Sequence, residues 1–174
     1  GQSRAAHTYV HYGNQVANAS YDNNTLKLGD GDAGSSPWVS TDIVAHEFTH
    51  GVTEYAAGLV YPNESGAANE SFSDIFGTAV EFYVGINPDY VIAEDAVPGG
   101  IRYMVDPAID HYSERVYIGT SFDNGGVHYN SGIQNKAFYL LAEGGTHPDT
   151  GLTVPSITRR TAEKIFYRAL EVYL

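Results

Sequence analysis

Two histidines one helical turn apart, in the run His46-Glu47-Phe48-Thr49-His50, constrain this chain more than any other feature. On an α-helix residues i and i+4 share a face, so the spacing asks for a helix that aims both imidazoles at one point. Two neutral imidazole nitrogens hold a zinc ion at about 2.0–2.1 Å, and Glu47, rotated one position around the helix, reaches the water bound to it. That is a constellation for metal-assisted peptide hydrolysis. The same five residues also serve as a solvated helix face, so their surroundings have to decide.

A zinc-binding histidine pair needs a third protein ligand. The stretch from Asn63 to Asp74 reads as the start of a second helix, and Glu70 on it is the candidate. Two imidazoles and one carboxylate leave a fourth position open for water, which separates a catalytic zinc from a closed structural one. Asp74 follows one turn later on the same face, where it can accept the other ring N–H of a zinc histidine and fix its tautomer. The plainer reading of Glu70 and Asp74 is a pair of surface carboxylates.

At 174 residues and 43% hydrophobic content the chain is long enough to bury a core. Its net charge of −12, with nine Lys and Arg, argues against nucleic acid and anionic membrane, both of which need a basic footprint. Calcium suits such a surface better, although acidity also serves plain solubility. With no cysteine there is neither a disulfide framework nor a thiol nucleophile. No apolar run approaches the roughly eighteen residues of a membrane span, and Gly1-Gln2-Ser3-Arg4 is not followed by the apolar core of a leader peptide. Any export or folding segment is expected outside this chain.

His7 to Leu28 alternates aromatic, β-branched and polar residues around the turn signals Gly13 and Asp22-Asn23-Asn24, which predicts short antiparallel strands or hairpins. Ser40, Thr41 and Asp42 offer caps for a helix running to about Ala57, with Gly58 as its left-handed exit and Ile43, Val44, Phe48 and Val52 burying most of its sides. A second helix is expected from about Asn63 to Val84 and a third from about Asn130 to Glu143, each stopped by glycine. A fourth starts near Ser156 and runs to the last residue, with an apolar stripe of Ile165, Phe166, Ala169, Leu170 and Tyr173. Ile86 to Gly126 is a long loop region, of the kind that carries function.

HEFTH followed by GLVYPNESGAANESFSDIFGTAVEFY (Gly58 to Tyr83) resembles the thermolysin family of secreted zinc neutral endopeptidases. DNGGVHYNSG (Asp123 to Gly132), KIFYRAL (Lys164 to Leu170), HTYVHYG and KLGDGD add to the resemblance, which runs almost end to end. It implies an α+β, thermolysin-like zincin core in which short antiparallel strands precede a mainly helical lobe, with the zinc cleft between them. Residues 1–57 would then be the end of the β-rich lobe with the central helix, and 58–174 the start of an incomplete helical lobe. The chain would be a catalytic-centre fragment, truncated at both ends, from a secreted protein made as a precursor, with peptide or protein substrates and the missing lobes or a propeptide as partners.

The resemblance also assigns roles. Tyr61 and His128 match oxyanion donors, and Asp123 the carboxylate that orients His128. Asn18 and Ala19 match the edge segment that pairs with an extended peptide, Arg102 a substrate-carbonyl clamp, and Ile43, Ile92 and Ile101 the pocket for the residue after the scissile bond, expected to be hydrophobic. Tyr21 stands where the family often has a larger aromatic. Asp42, Glu81, Asp89 and Glu94, with carbonyls near Asn87 and Val91, match a site for one or two structural calcium ions, with Asp95 set on the neighbouring surface. Val97-Pro98-Gly99-Gly100 is a short connection, so further loop calcium sites are not expected. Two alternatives stay open: an inactive calcium- and zinc-binding fragment, and a zinc aminopeptidase, for which no acidic anchor segment is present.

Overall fold

The computed structural model describes residues 5–117 and 119–174. Gly1 to Arg4, read above as lacking a leader, lie outside the described residues.

Alternation between His7 and Leu28 gives three short strands, β1 (His7–Tyr9), β2 (Ala19–Asp22) and β3 (Thr25–Leu28). Asn23 and Asn24 turn β2 back on β3 at φ 47° and 61°, a left-handed conformation that asparagine tolerates better than most residues. The two strands pair antiparallel from Ala19 opposite Leu28 to Asp22 opposite Thr25. β1 differs from the expected arrangement, lying along the other edge of β3 in parallel register with His7 opposite Thr25.

Helix α1 (Thr41–Ala56) starts where the capping residues predict, but the Ser40 hydroxyl donates to Asp42 Oδ1 at 2.5 Å and caps no helix amide. Gly58, at φ 61°, lets the amides of Ala57 and Gly58 both return to Thr53 O. Helix α2 (Asn63–Val84) closes on left-handed Gly85. The two helices cross closely at Gly77, where an added Cβ would stand 2.8 Å from Asp42 O. Ile43, His46 and Glu47 face inward from α1, whereas Phe48, expected inside, is 53% exposed.

The long region after α2 holds a two-stranded antiparallel ribbon, β4 (Val91–Ile92) and β5 (Arg102–Tyr103), and a 3₁₀ turn at Tyr112–Glu114. The span α3 (Asp123–Glu143) opens on a left-handed turn, Asp123 to Gly126 all at positive φ, and its regular helix sets in at Val127, about a turn earlier than expected. A hairpin unforeseen in the sequence, β6 (Gly145–Thr146) with β7 (Thr153–Val154), precedes α4 (Arg159–Arg168), which begins after Ser156 and loosens into a π turn over Ala169–Tyr173. Of its predicted stripe Leu170 is buried, while Ile165 and Tyr173 are exposed.

α2 lies between α1 and α3. Ile43, Ile75, Ile92, Met104 and Phe138 form the centre of the core, each contributing about 1.5–3 kcal/mol by leaving water. Phe138 meets Phe166 edge to face at 5.3 Å and ties α4 to the rest. The molecule is α+β. Among the described residues no helix is long and apolar enough to cross a membrane.

Candidate functional site

The packing of α1 on α2 brings His46, His50 and Glu70 to one point. His46 Nε2 and His50 Nε2 are 3.1 Å apart, and each lies 3.4 Å from a Glu70 carboxylate oxygen. A hydrogen bond from either imidazole to the carboxylate would close below 3.4 Å. Two ligands on a tetrahedral zinc at about 2.0–2.1 Å stand roughly 3.3 Å apart, so these separations fit an ion between them. Glu70 is 1% exposed, and its Oε2 is buried with no well-aligned donor, an arrangement that a cation resolves. The donor set, two imidazoles and a carboxylate, suits zinc.

The outer ring nitrogens are held as well. His46 Nδ1 is 2.9 Å from Asp74 Oδ1, and His50 Nδ1 is 2.8 Å from Asn69 Oδ1 and 3.2 Å from Ser73 Oγ. Such partners keep the proton on Nδ1 and leave Nε2 free to bind a metal. Asp74 in turn accepts from Arg102 Nε at 2.9 Å, Arg102 Nη2 at 2.6 Å and Asn135 Nδ2 at 2.9 Å. Asp74 thus stands between His46 and Arg102. Asn69 does not appear in the sequence reading, although Asn69 and Ser73 lie one turn apart on α2; being uncharged, they carried no metal signal.

Electrostatics follow from burial and neighbours. Burial alone would raise the Asp74 carboxyl, but Arg102 and His46 hold it below the usual range. Glu70 is likewise lowered against its burial by His128 and His46. Burial would lower His46, yet Asp74 and Glu70 outweigh it and raise the imidazole to about 10, while burial and the neighbouring His46 lower His50 to about 4. Burial raises Glu47, and it raises Tyr61, with the charge of Glu70 adding, so the phenol keeps its proton.

A cleft of about 530 Å³ opens over these groups. Asn18 and Ala19, Ile43, Ile92, Ile101 and Arg102 all line it. Ile43 and Ile92, 4% and 2% exposed, are core and pocket wall at once, whereas Ile101 is 40% exposed. Tyr61 donates its hydroxyl hydrogen bond to Glu70 Oε1, and His128 Nε2 reaches to 3.2 Å from Glu70 Oε2. Asp123 holds His128 twice, through the imidazole Nδ1 and through the backbone amide at 3.1 Å. Burial would lower His128, but Glu70 and Asp123 raise it. The left-handed residues 123–126 turn the chain so that both contacts reach one carboxylate.

Residues 57–174 match the family profile described as "Thermolysin metallopeptidase, alpha-helical domain", and residues 1–54 the one described as "Thermolysin metallopeptidase, catalytic domain". This chain belongs to the thermolysin metallopeptidase family. It is 52% identical over 185 residues to a thermolysin of Alicyclobacillus acidocaldarius subsp. acidocaldarius, covering 100% of this chain and 33% of that protein. Neutral protease B of Bacillus subtilis (strain 168) is 47% identical over 176 residues, covering 95% and 31%. The solved precursor of protealysin, a metalloproteinase from Serratia proteamaculans, superposes with a TM-score of 0.75 at 35% identity, covering 95% of this chain and 56% of that one. The chain spans about a third of the length of the curated relatives it matches.

A second acidic centre of this thermolysin-family chain lies at the C-terminal end of α2. Glu81, Glu94 and Asp95 bring oxygens within 4.8 Å of one another, so Asp95, itself exposed, stands at the surface edge of the cluster. Asp42 and Asp89 flank it, accepting from the amides of Ala93 at 2.5 Å and Val91 at 2.6 Å, and the Asp89 amide points to Glu81 Oε2 at 3.4 Å. Asn87 makes the bend at φ 45°. Burial, then Glu94, Asp42 and Asp89, raise Glu81 to about 8; burial, then Asp42, Asp89 and Asp95, raise Glu94 to about 7.

Proposed function

We propose that this chain forms the catalytic centre of a zinc-dependent endopeptidase. The observation that carries the reading is the convergence of His46, His50 and Glu70 on one point of a cleft that also holds Glu47, Tyr61 and His128. A zinc ion held by the three ligands supplies Lewis acidity toward the peptide carbonyl and the attacking water. Glu47 accepts the proton of that water and delivers it to the leaving amine. Tyr61 and His128 donate to the oxygen that gains charge, and Asp123 orients His128. Asn18 and Ala19 pair with the extended peptide, Arg102 stands beside its carbonyl, and Ile43, Ile92 and Ile101 receive an apolar side chain after the scissile bond. Glu81, Glu94, Asp89, Asp42 and Asp95, with carbonyls near Asn87 and Val91, hold one or two calcium ions. We read 1–57 and 58–174 as parts of the two lobes beside the cleft. We read the protein as one that acts outside the cell, with the rest of its precursor as partner.

The test is digestion of a library of terminally blocked peptides by the full chain, with products read by mass spectrometry. New amino termini rich in Leu, Ile, Val and Phe are expected, with discrimination of about 1–3 kcal/mol per methylene. Termini dominated by Asp, Lys or small polar residues would sink the pocket. Removal of single terminal residues only, from unblocked peptides, would make the protein an aminopeptidase, and zinc without turnover a binding module.

A further inference from the structure

The β6–β7 hairpin meets the loop after β5 at a place the peptidase reading does not use. His147 directly follows β6, and its backbone is pinned at both polar atoms, the amide to Leu152 O at 2.8 Å and the carbonyl from Gly151 N at 2.9 Å. The residue is 7% exposed, and its Nε2 is buried without a hydrogen-bond partner. Facing that nitrogen at 3.4 Å is Oδ1 of Asp110, whose side chain is 8% exposed. Asp149, on the tip of the same hairpin, adds a third group: ligand atoms of Asp110, His147 and Asp149 all lie within 4.8 Å of one another.

A buried imidazole and carboxylate that simply hydrogen-bond close to about 2.7–3.0 Å. The 3.4 Å found here is instead the separation between His46 or His50 and Glu70, where an ion fits between the atoms. The geometry points to a second metal site, Asp110–His147–Asp149, for a divalent transition ion such as zinc, with water completing its coordination beside exposed Asp149. An imidazole between two carboxylates favours such an ion over calcium or magnesium. Nε2 on the metal would put the ring proton on Nδ1, so binding the ion would give up the 3.4 Å contact from the Thr150 amide to Nδ1. The ion clips the hairpin to the loop that rests on α3, where Lys136 Nζ donates to Val105 O at 2.5 Å and Gly132 packs under Ile109 O.

The experiment is equilibrium dialysis of the full chain against micromolar free zinc, with bound metal counted by elemental mass spectrometry. Wild type is expected to hold one zinc more than Asp149→Asn or Asp110→Asn. Zinc should raise its melting temperature more than theirs. Asp149 is exposed, so its replacement leaves the fold intact, and both variants keep His46, His50 and Glu70. Equal zinc counts in wild type and both variants would overturn the site, whatever the peptidase assay shows.

Discussion

Glu47 sits among the candidate zinc ligands without touching the point on which they converge. Its burial raises its affinity for protons, with the nearby His46 only partly opposing this, which suits a carboxylate that takes a proton and gives it back. Glu47→Gln should therefore keep its zinc and lose about 10²–10⁴-fold in peptide turnover, the usual range for a removed general base. Metal counting beside the assay checks this, since a simultaneous loss of zinc would make Glu47 a ligand. Arg102 gives a different result. It commits Nε and Nη2 to Asp74, which is fully buried, so the expected substrate clamp also holds up the zinc-site scaffold. Arg102→Met should cost about 3–5 kcal/mol in denaturant unfolding by leaving Asp74 ionised without its main partner. A change below about 1 kcal/mol, the scale of a surface pair, would show the pairing to be peripheral.

For the helices, the decisive contact is Gly77 of α2 under α1. A glycine inside a helix is ordinarily about 0.5–1 kcal/mol worse than alanine. Here the added methyl would stand 2.8 Å from Asp42 O and 3.5 Å from His46 Cβ, so the sign reverses. Gly77→Ala should destabilise by about 1–3 kcal/mol and weaken zinc binding by moving His46, both readable in one thermal titration with and without zinc. The sequence makes the helices legible because their signals are local: the His46–His50 spacing, and glycine stops at Gly58, Gly85 and Gly144. It leaves the partner of β1 open, since strand pairing depends on distant residues that local alternation does not record. The β6–β7 strands are too short to show any period. Asn69, holding His50, and Asp95, joining Glu81, depend on how segments meet in space, and residue type alone does not report that. The glycines of the left-handed run 123–126 signal a loop, and nothing local to them shows that the turn sets His128 beside Asp123.

At the scale of the whole molecule, part of the net charge of −12 is concentrated in the carboxylates around Glu81 and Glu94. Both bind protons more tightly in the folded state than an ordinary carboxylate does, by virtue of burial first and of their like-charged neighbours second. Between the ordinary range near 4.5 and the raised values of about 7 and 8 the folded protein holds the more protons, so its stability falls as pH rises through that window. With calcium chelated, melting temperature should therefore drop from pH 5 to pH 8, and added calcium should restore most of the loss at the alkaline end. Melting curves that ignore both pH and calcium would make the cluster a solvated acidic face. The candidate zinc ligands are distributed differently: all three stand on α1 and α2, consecutive helices joined by a short connection, whereas the residues lining the cleft are gathered from Asn18 through to His128. Contacts close in sequence form early, because little chain entropy is lost in closing them. During folding, then, the seat for the ion can be assembled while the walls that grip a peptide are still apart.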